Sequence, residues 1–186
     1  MHPILIEGPA VEPVPLPEMK AYLRIDEDDA AQDELIAGLV KAARLMVEAT
    51  SRRILIEQRW RVMLDRWPQC RMVVLPLSPL IAIDGIRVSD ASEVAIAIPT
   101  DAIDADLVSD PPRVTVASAP EPGRARNGIQ IDLRAGFGAA AVPATLKLAT
   151  KILVAHWFEN RGDVIGDQIM PPQALVLVAP FQRTRV

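Results

Sequence analysis

Gln58-Arg59-Trp60-Arg61-Val62-Met63-Leu64-Asp65 decides the fold class. Its side chains alternate, with Trp60, Val62 and Leu64 on one face, the period of a half-buried strand. Upstream the period is helical. From about Ala30 to Ser51, the residues Leu35, Ile36, Leu39, Val40, Ala43, Met46, Val47 and Thr50 recur at i, i+3, i+4 and i+7 spacing, while Lys41, Arg44 and Glu48 occupy other faces. Such a rod is roughly 33 Å long. Arg52 and Arg53 place positive charge at the negative pole of its dipole.

Downstream, short strand candidates follow at Arg71–Leu75, Ile81–Val88, Glu93–Ile98, Arg113–Ala117 and Ile129–Arg134. Pro76, Pro79, Asp84-Gly85, Pro111-Pro112 and the Pro120–Gly123 stretch separate them, the pattern of a small antiparallel sheet or barrel-like subdomain. Gly136 and Gly138 reverse the chain. Pro143 then opens a second helix running to about Arg161, apolar nearly all round and so expected to be buried on most sides, with Gly162 as its left-handed cap. Pro171 to Ala179 reads as a short terminal helix stopped by Pro180. Near the start, Pro17 and Glu18 suit the first turn of a helix over 17–23. The expected fold is therefore α+β. Helices at about 17–23, 30–51, 143–161 and 171–179 form a small bundle, and an antiparallel β subdomain at about 55–135 is inserted between the long ones. Residues 1–16, with Pro3, Pro9, Pro13 and Pro15, read as an extended arm and not as a helix or central strand. Residues 17–179 make one domain, and 180–186 a tail.

The chain has 186 residues, half of them hydrophobic. Its mean hydropathy of +0.20 is high for a soluble protein. No stretch reaches the roughly 18 apolar residues that span a bilayer, so the apolar surplus must be buried internally or against partners. The first residues lack the basic and apolar regions of a signal peptide, and synthesis in the cytoplasm is expected. The net charge of −4 argues against a protein whose main task is gripping nucleic acid, yet allows a surface that DNA slides past.

Little in the chain points to catalysis. The single cysteine, Cys70, cannot form an internal disulfide and has no activating neighbours. His2 lies near the terminus. His156 stands mid-helix beside Trp157 and Phe158, with Arg161 one turn on, and reads as a core or interface histidine. The acids at 26–29 lack the spacing, glycine and closing glutamate of a calcium loop, and Asp28 or Asp29 reads as a helix cap. Asp101, Asp104, Asp106 and Asp110 lie among prolines in an expected solvated surface loop. Paired carboxylates there are the basis of an alternative reading, a small soluble ligand- or metal-binding module or hydrolase. No catalytic, cofactor or metal residue is otherwise assigned.

The order of motifs carries more. Leu23-Arg24-Ile25-Asp26 precedes Asp28-Asp29 and the long helix, which ends at Ala49-Thr50-Ser51-Arg52-Arg53. Gln58-x-Trp60-x-Val62-x-Leu64-Asp65-x-Trp67-Pro68 follows, then Leu75-Pro76-Leu77-Ser78-Pro79-Leu80. Arg134-Ala135-Gly136-Phe137-Gly138, Val142-Pro143-Ala144 and His156-Trp157-Phe158-Glu159-Asn160-Arg161 come last. This set resembles the head-tail connector, or adaptor, proteins of long-tailed phages, prophages and gene transfer agents. The resemblance covers residues 17–185, except the loop at 89–128.

The resemblance implies a non-enzymatic structural subunit. It implies a ring of about twelve copies below the portal vertex. Double-stranded DNA would pass through the lumen without sequence-specific binding. The portal protein would lie on one side and the stopper or tail-completion protein on the other. It also implies that the C-terminal segment reaches the portal through Leu175, Leu177, Phe181, Arg183 and Arg185. The overall charge and the lack of a basic stripe lead to the expectation of a negative or weakly charged lumen.

Overall fold

The computed structural model describes residues 1–160 and 170–182. The strands are β1 (His2–Glu7), β2 (Gln58–Leu64), β3 (Met72–Val74), β4 (Leu80–Ser89), β5 (Ala95–Ala97), β6 (Ile103–Asp106), β7 (Arg113–Val116) and β8 (Ile129–Ala135). The helices are α1 (Leu16–Leu23), α2 (Asp33–Ser51), α3 (Ala144–Glu159) and α4 (Pro172–Val178). The fold is α+β, as the change of period in the sequence predicts. The chain divides into a sheet unit, 1–9 with 57–137, and a helical unit, 10–56 with 138–186.

In the sheet unit, Ile129-Gln130-Ile131-Asp132-Leu133-Arg134-Ala135 alternates strictly, so one face of β8 can be wholly apolar. Ile129, Ile131, Leu133 and Ala135 are all fully buried. β8 is the middle of a five-stranded antiparallel sheet ordered β1-β2-β8-β4-β5. Val62 of β2 and Ile86 of β4 flank Ile131, and Leu64 and Val88 flank Ile129. These rows place β-branched and aliphatic side chains side by side, the pairing that stabilises a sheet. A second sheet, ordered β3-β7-β6, buries Val73, Val114 and Val116. The segment after β7 is held by side chains that reach its backbone. The Trp67 indole N–H donates to Pro120 O at 3.0 Å, Arg71 donates to Ala119 O at 2.7 Å, and Asn127 N donates to Asp65 Oδ1 at 2.7 Å. A Cβ on Gly123 would overlap the backbone of Asp90 and Ala91, so this segment approaches the β4–β5 turn as only glycine permits.

Several sequence expectations are corrected in this unit. Residues 2–7 are extended, but they are paired as the edge strand β1, with Pro3 opposite Val62 and Leu5 opposite Trp60. Proline is tolerated there because an edge strand leaves half its donors unused. Asp84-Gly85 does not separate strands. It lies inside β4, where the register shifts between Ile83 and Gly85 and absorbs an extra residue as a bulge. The acid-rich stretch is not a plain loop either, because residues 103–106 form β6 and pair with β7.

In the helical unit, α2 buries Ile36, Val40, Ala43 and Val47 along one stripe. α3 packs on α2 and on α4, through Leu146, Ala149, Leu153 and Val154 of α3 and Ala174 and Val178 of α4. α1 and α2 each end on an arginine in the left-handed conformation, Arg24 at φ 58° and Arg52 at φ 60°. The expected start of α2 at Ala30 is a 3-10 turn, Ala30–Gln32, which Asp29 caps by accepting from Ala31 N at 3.0 Å. α3 stops at Glu159, and the expected cap at Gly162 lies outside the described residues. α3 is also less enclosed than its composition predicts, since Leu148 is exposed.

The largest correction concerns charge. Arg44 and Glu48, expected on faces other than the apolar stripe, are buried with it. Arg44 is 3% exposed and bridges two carboxylates, Glu12 through Nε at 2.8 Å and Glu48 at 2.9 Å. Glu48 also accepts from Leu55 N at 2.9 Å. Burial pushes the Glu48 carboxyl above its ordinary range, against the lowering effect of the Leu55 bond and the Arg44 charge. Lys20, equally buried, donates to Glu27 O at 2.6 Å and Asp29 O at 2.9 Å and pairs with Asp33 at 2.9 Å. An ammonium thus fills the loop of acids at 26–29.

Removing one partner of a buried pair strands the other charge. Arg44→Met should lose about 3 kcal/mol at pH 7, whereas Glu48→Gln, which keeps the shape and removes the buried charge, should lose less than about 1 kcal/mol. A carboxyl with a raised folded-state pKa favours the fold at low pH and disfavours it as pH rises through that pKa. The Arg44→Met deficit should therefore shrink as pH falls. Urea unfolding of the three proteins between pH 4 and 8 checks both statements.

Candidate functional site

Two surfaces of the described residues stand out by their chemistry. The polar face of the five-stranded sheet carries Arg59, Arg61, Arg87 and Arg134, against Glu7, Glu57, Asp84 and Asp132. Asp132 takes Arg61 Nε at 2.7 Å, Arg87 at 2.8 Å and the Gln130 amide at 3.0 Å. Arg134 bridges Asp84 at 2.9 Å and Glu57 at 3.1 Å, and Arg59 lies 3.5 Å from Asp84 and 3.6 Å from Glu7. Partial burial would raise the Asp132 carboxyl, but the bonds from Arg61, Gln130 and Arg87 outweigh it and hold the group below the usual range. Four guanidinium groups meet four carboxylates, so this face is polar without being basic.

A second surface is apolar. On α4, Ala174 and Val178 point inward one turn apart, which turns Leu175 and Val176 outward at 40% and 71% exposure. Leu177 and Phe181 are half-buried. Leu35 and Leu45 of α2 and Leu148 of α3 are exposed aliphatic residues of the same unit. His156 is exposed near the end of α3, with the Asn160 amide donating to its carbonyl at 2.7 Å. Trp157 and Phe158 are half-buried. Arg161, Arg183 and Arg185 lie outside the described residues. Val176 was missed from the sequence. Its signal was the i, i+4 pair Ala174 and Val178, which assigns it to the opposite side of the helix.

Among the carboxylates at 101–110, Asp106 has a structural part. Asp101 sits in a 3-10 turn, Thr100–Ala102, and Asp104 is exposed on β6. Asp106 Oδ1 accepts from Val108 N at 3.1 Å and Ser109 N at 3.0 Å. Its hydrogen bonds, that from the Ser109 hydroxyl foremost, hold its carboxyl below the ordinary range. Among the described residues, no three His, Cys, Asp or Glu side chains converge as a metal site. Cys70 is exposed. No helix of the described residues is long and apolar enough to cross a membrane.

No family model and no curated protein matches the chain. Solved structures do. A chain in the neck of an empty gene transfer agent particle, computed with C6 symmetry, matches at TM-score 0.83 and 26% identity over 100% of this chain and 97% of its own. This chain resembles a gene transfer agent neck protein. A chain of the native gene transfer agent virion matches at TM-score 0.81 and 27% identity, again over 100% and 97%. One in the native neck computed with C12 symmetry matches at 0.72 and 29% over 98% and 97%. The family resemblance carried by the sequence motifs is thereby borne out, and the likeness extends through the arm and the loop at 89–128 that those motifs did not cover.

The sheet-face network yields a prediction. A carboxyl with a lowered folded-state pKa adds stability above its unfolded pKa and loses it as pH falls through the folded one. Asp132→Asn should cost about 1 kcal/mol at neutral pH, discounted for partial solvent exposure. The difference from the unsubstituted chain should close in acid. Thermal unfolding across pH 2–7 measures it.

Proposed function

We propose that this chain is a non-enzymatic structural subunit of a gene transfer agent or phage-like particle. In this reading it is the adaptor that forms a ring below the portal vertex and joins the portal to the stopper or tail. The observation that carries the proposal is end-to-end likeness, at 26–29% identity, to chains of gene transfer agent necks and virions. A copy number of about twelve agrees with the sixfold and twelvefold symmetry of the similar necks. The chain is made in the cytoplasm and ends in the particle.

Physical features support this role. The adjacent exposed pair Leu175 and Val176 on α4 offers an apolar contact that burial against a partner would cover. The portal-facing segment is α4 and the tail, with Leu175, Leu177 and Phe181 as apolar anchors and Arg183 and Arg185 as charges for an acidic groove. The lumen through which double-stranded DNA passes is weakly charged or negative. The sheet face, whose arginines are all paired with carboxylates, is suited to line it, because paired guanidinium groups hold phosphate weakly and let DNA slide.

Deleting Pro180–Val186 should leave the urea midpoint nearly unchanged while abolishing the joining of DNA-filled heads to tails, scored by electron microscopy. Val176→Asp should act in the same direction, because that side chain is exposed in the folded chain. Normal particles from the truncated chain would remove the tail from this role. Density for this chain found anywhere but between portal and tail would remove the adaptor role itself.

A further inference from the structure

The β6–β7 hairpin ends in a tip that no partner within the chain explains. Val108 is 95% exposed, the highest value of any large apolar residue here, and Leu107 beside it is also exposed. The tip is nevertheless built. Asp106 closes it with bonds to Val108 N and Ser109 N, and Leu75 N donates to Pro112 O at 2.9 Å on its far side. An ordered loop that displays two aliphatic side chains loses little conformational entropy when it docks.

The same unit carries an open groove of about 540 Å³, lined by Met1, Ile4, Met63 and Leu64 with Asp65 and Arg66 at its rim. Asp65 is engaged by Asn127 N, while Arg66 is an exposed cation with neither a hydrogen bond nor an ion pair in the described structure. The tip brings acids, Asp106 and Asp110, on either side of its aliphatic pair. The aliphatic knob matches the Met1, Ile4, Met63 and Leu64 part of a groove that is otherwise polar, and the acids of the tip match the guanidinium of Arg66.

Topology keeps the two apart within one chain. The tip joins β6 to β7 at the Asp106–Arg113 end of the small sheet. At the opposite end, Val116 N bonds Arg71 O, and the chain then runs past Trp67 to Asn127 and the groove. The four residues of β7 alone separate these ends by about 13 Å. A knob and groove at opposite ends form a heterologous contact, which repeats head to tail and closes into a ring when the rotation permits.

We infer that the Leu107–Val108 tip of one copy seats in the Met1–Ile4–Met63 groove of the next copy. The choice of a second copy as occupant rests on the ring reading above. The contact itself rests on the complementarity of tip and groove.

The test uses the full chain with Cys70→Ser, so that introduced thiols are the only ones. Chains carrying Val108→Cys and chains carrying Ile4→Cys are kept reduced and then oxidised with a mild disulfide-forming oxidant, each alone and as an equimolar mixture, at about 1 mM chain so that weak contacts of this size are populated. The expected result is a disulfide-linked dimer from the mixture only, and Arg66→Glu in the Ile4→Cys chain should lower its yield roughly fivefold at low salt. Either chain cross-linking with itself, or no product from the mixture, overturns the inference. Val108→Asp should fold normally, judged by its unfolding curve, and fail to assemble. If it forms the same closed oligomer as the unsubstituted chain, the tip contact is wrong and the ring reading stands. If the unsubstituted chain forms no ring in solution or in particles, the ring reading fails.

Discussion

The packing of the helical unit depends on one buried charge. Arg44 sits near the middle of α2 and reaches Glu12 on the segment that leaves the sheet unit after Pro9. It also holds Glu48, which fixes Leu55 N just before the chain returns to the sheet at Glu57. Within the helical unit, Glu12 and Leu55 are thus tied to one helix through a single guanidinium and its carboxylate partner. A planar group with five donors suits the task, because it can satisfy two carboxylates at once in a site nearly free of water.

The helical unit solves its own burial with narrow stripes, and this leaves apolar side chains over. Ile36, Val40, Ala43 and Val47 are enough to seat α2, so Leu35 and Leu45 stay outside. α3 likewise leaves Leu148 outside, and α4 leaves Leu175 and Val176. The sheet unit does the same at the β6–β7 tip. These exposed side chains are aliphatic and lie on three helices and one hairpin tip. The charged sheet face is different in kind. Its arginines are satisfied locally by Glu7, Glu57, Asp84 and Asp132, which makes it polar without a net positive charge.

Most of the elements were legible because their burial is one-sided and their periods are therefore pure. β8 and β2 alternate since one face of each is core, and α2 repeats every three to four residues for the same reason. β1 and β6 were not legible. β1 contains a proline that would exclude it from a central strand, and only its place at the sheet edge makes that tolerable. β6, Ile103-Asp104-Ala105-Asp106, is too short and too acidic to show a period above its proline-rich surroundings. Among the candidate surfaces, Leu175 was legible from the apolar run of α4, while Val176 required knowing which side of that helix is occupied.

Taken alone, the sequence determined the α+β class, the insertion of the β region between two long helices, and the connector resemblance, because periodicity and local motifs are properties of neighbouring residues. Only the tertiary structure decided that Arg44 and Glu48 are interior, that Lys20 fills the acidic loop, and that residues 2–7 complete the sheet. Each of those depends on a partner far away in sequence: Glu12 lies 32 residues from Arg44, and Met63 pairs with His2. A helical wheel assigns a charged residue to solvent because burying an unpaired charge is prohibitive. It cannot register that a counter-charge arrives from another segment and makes the burial tolerable.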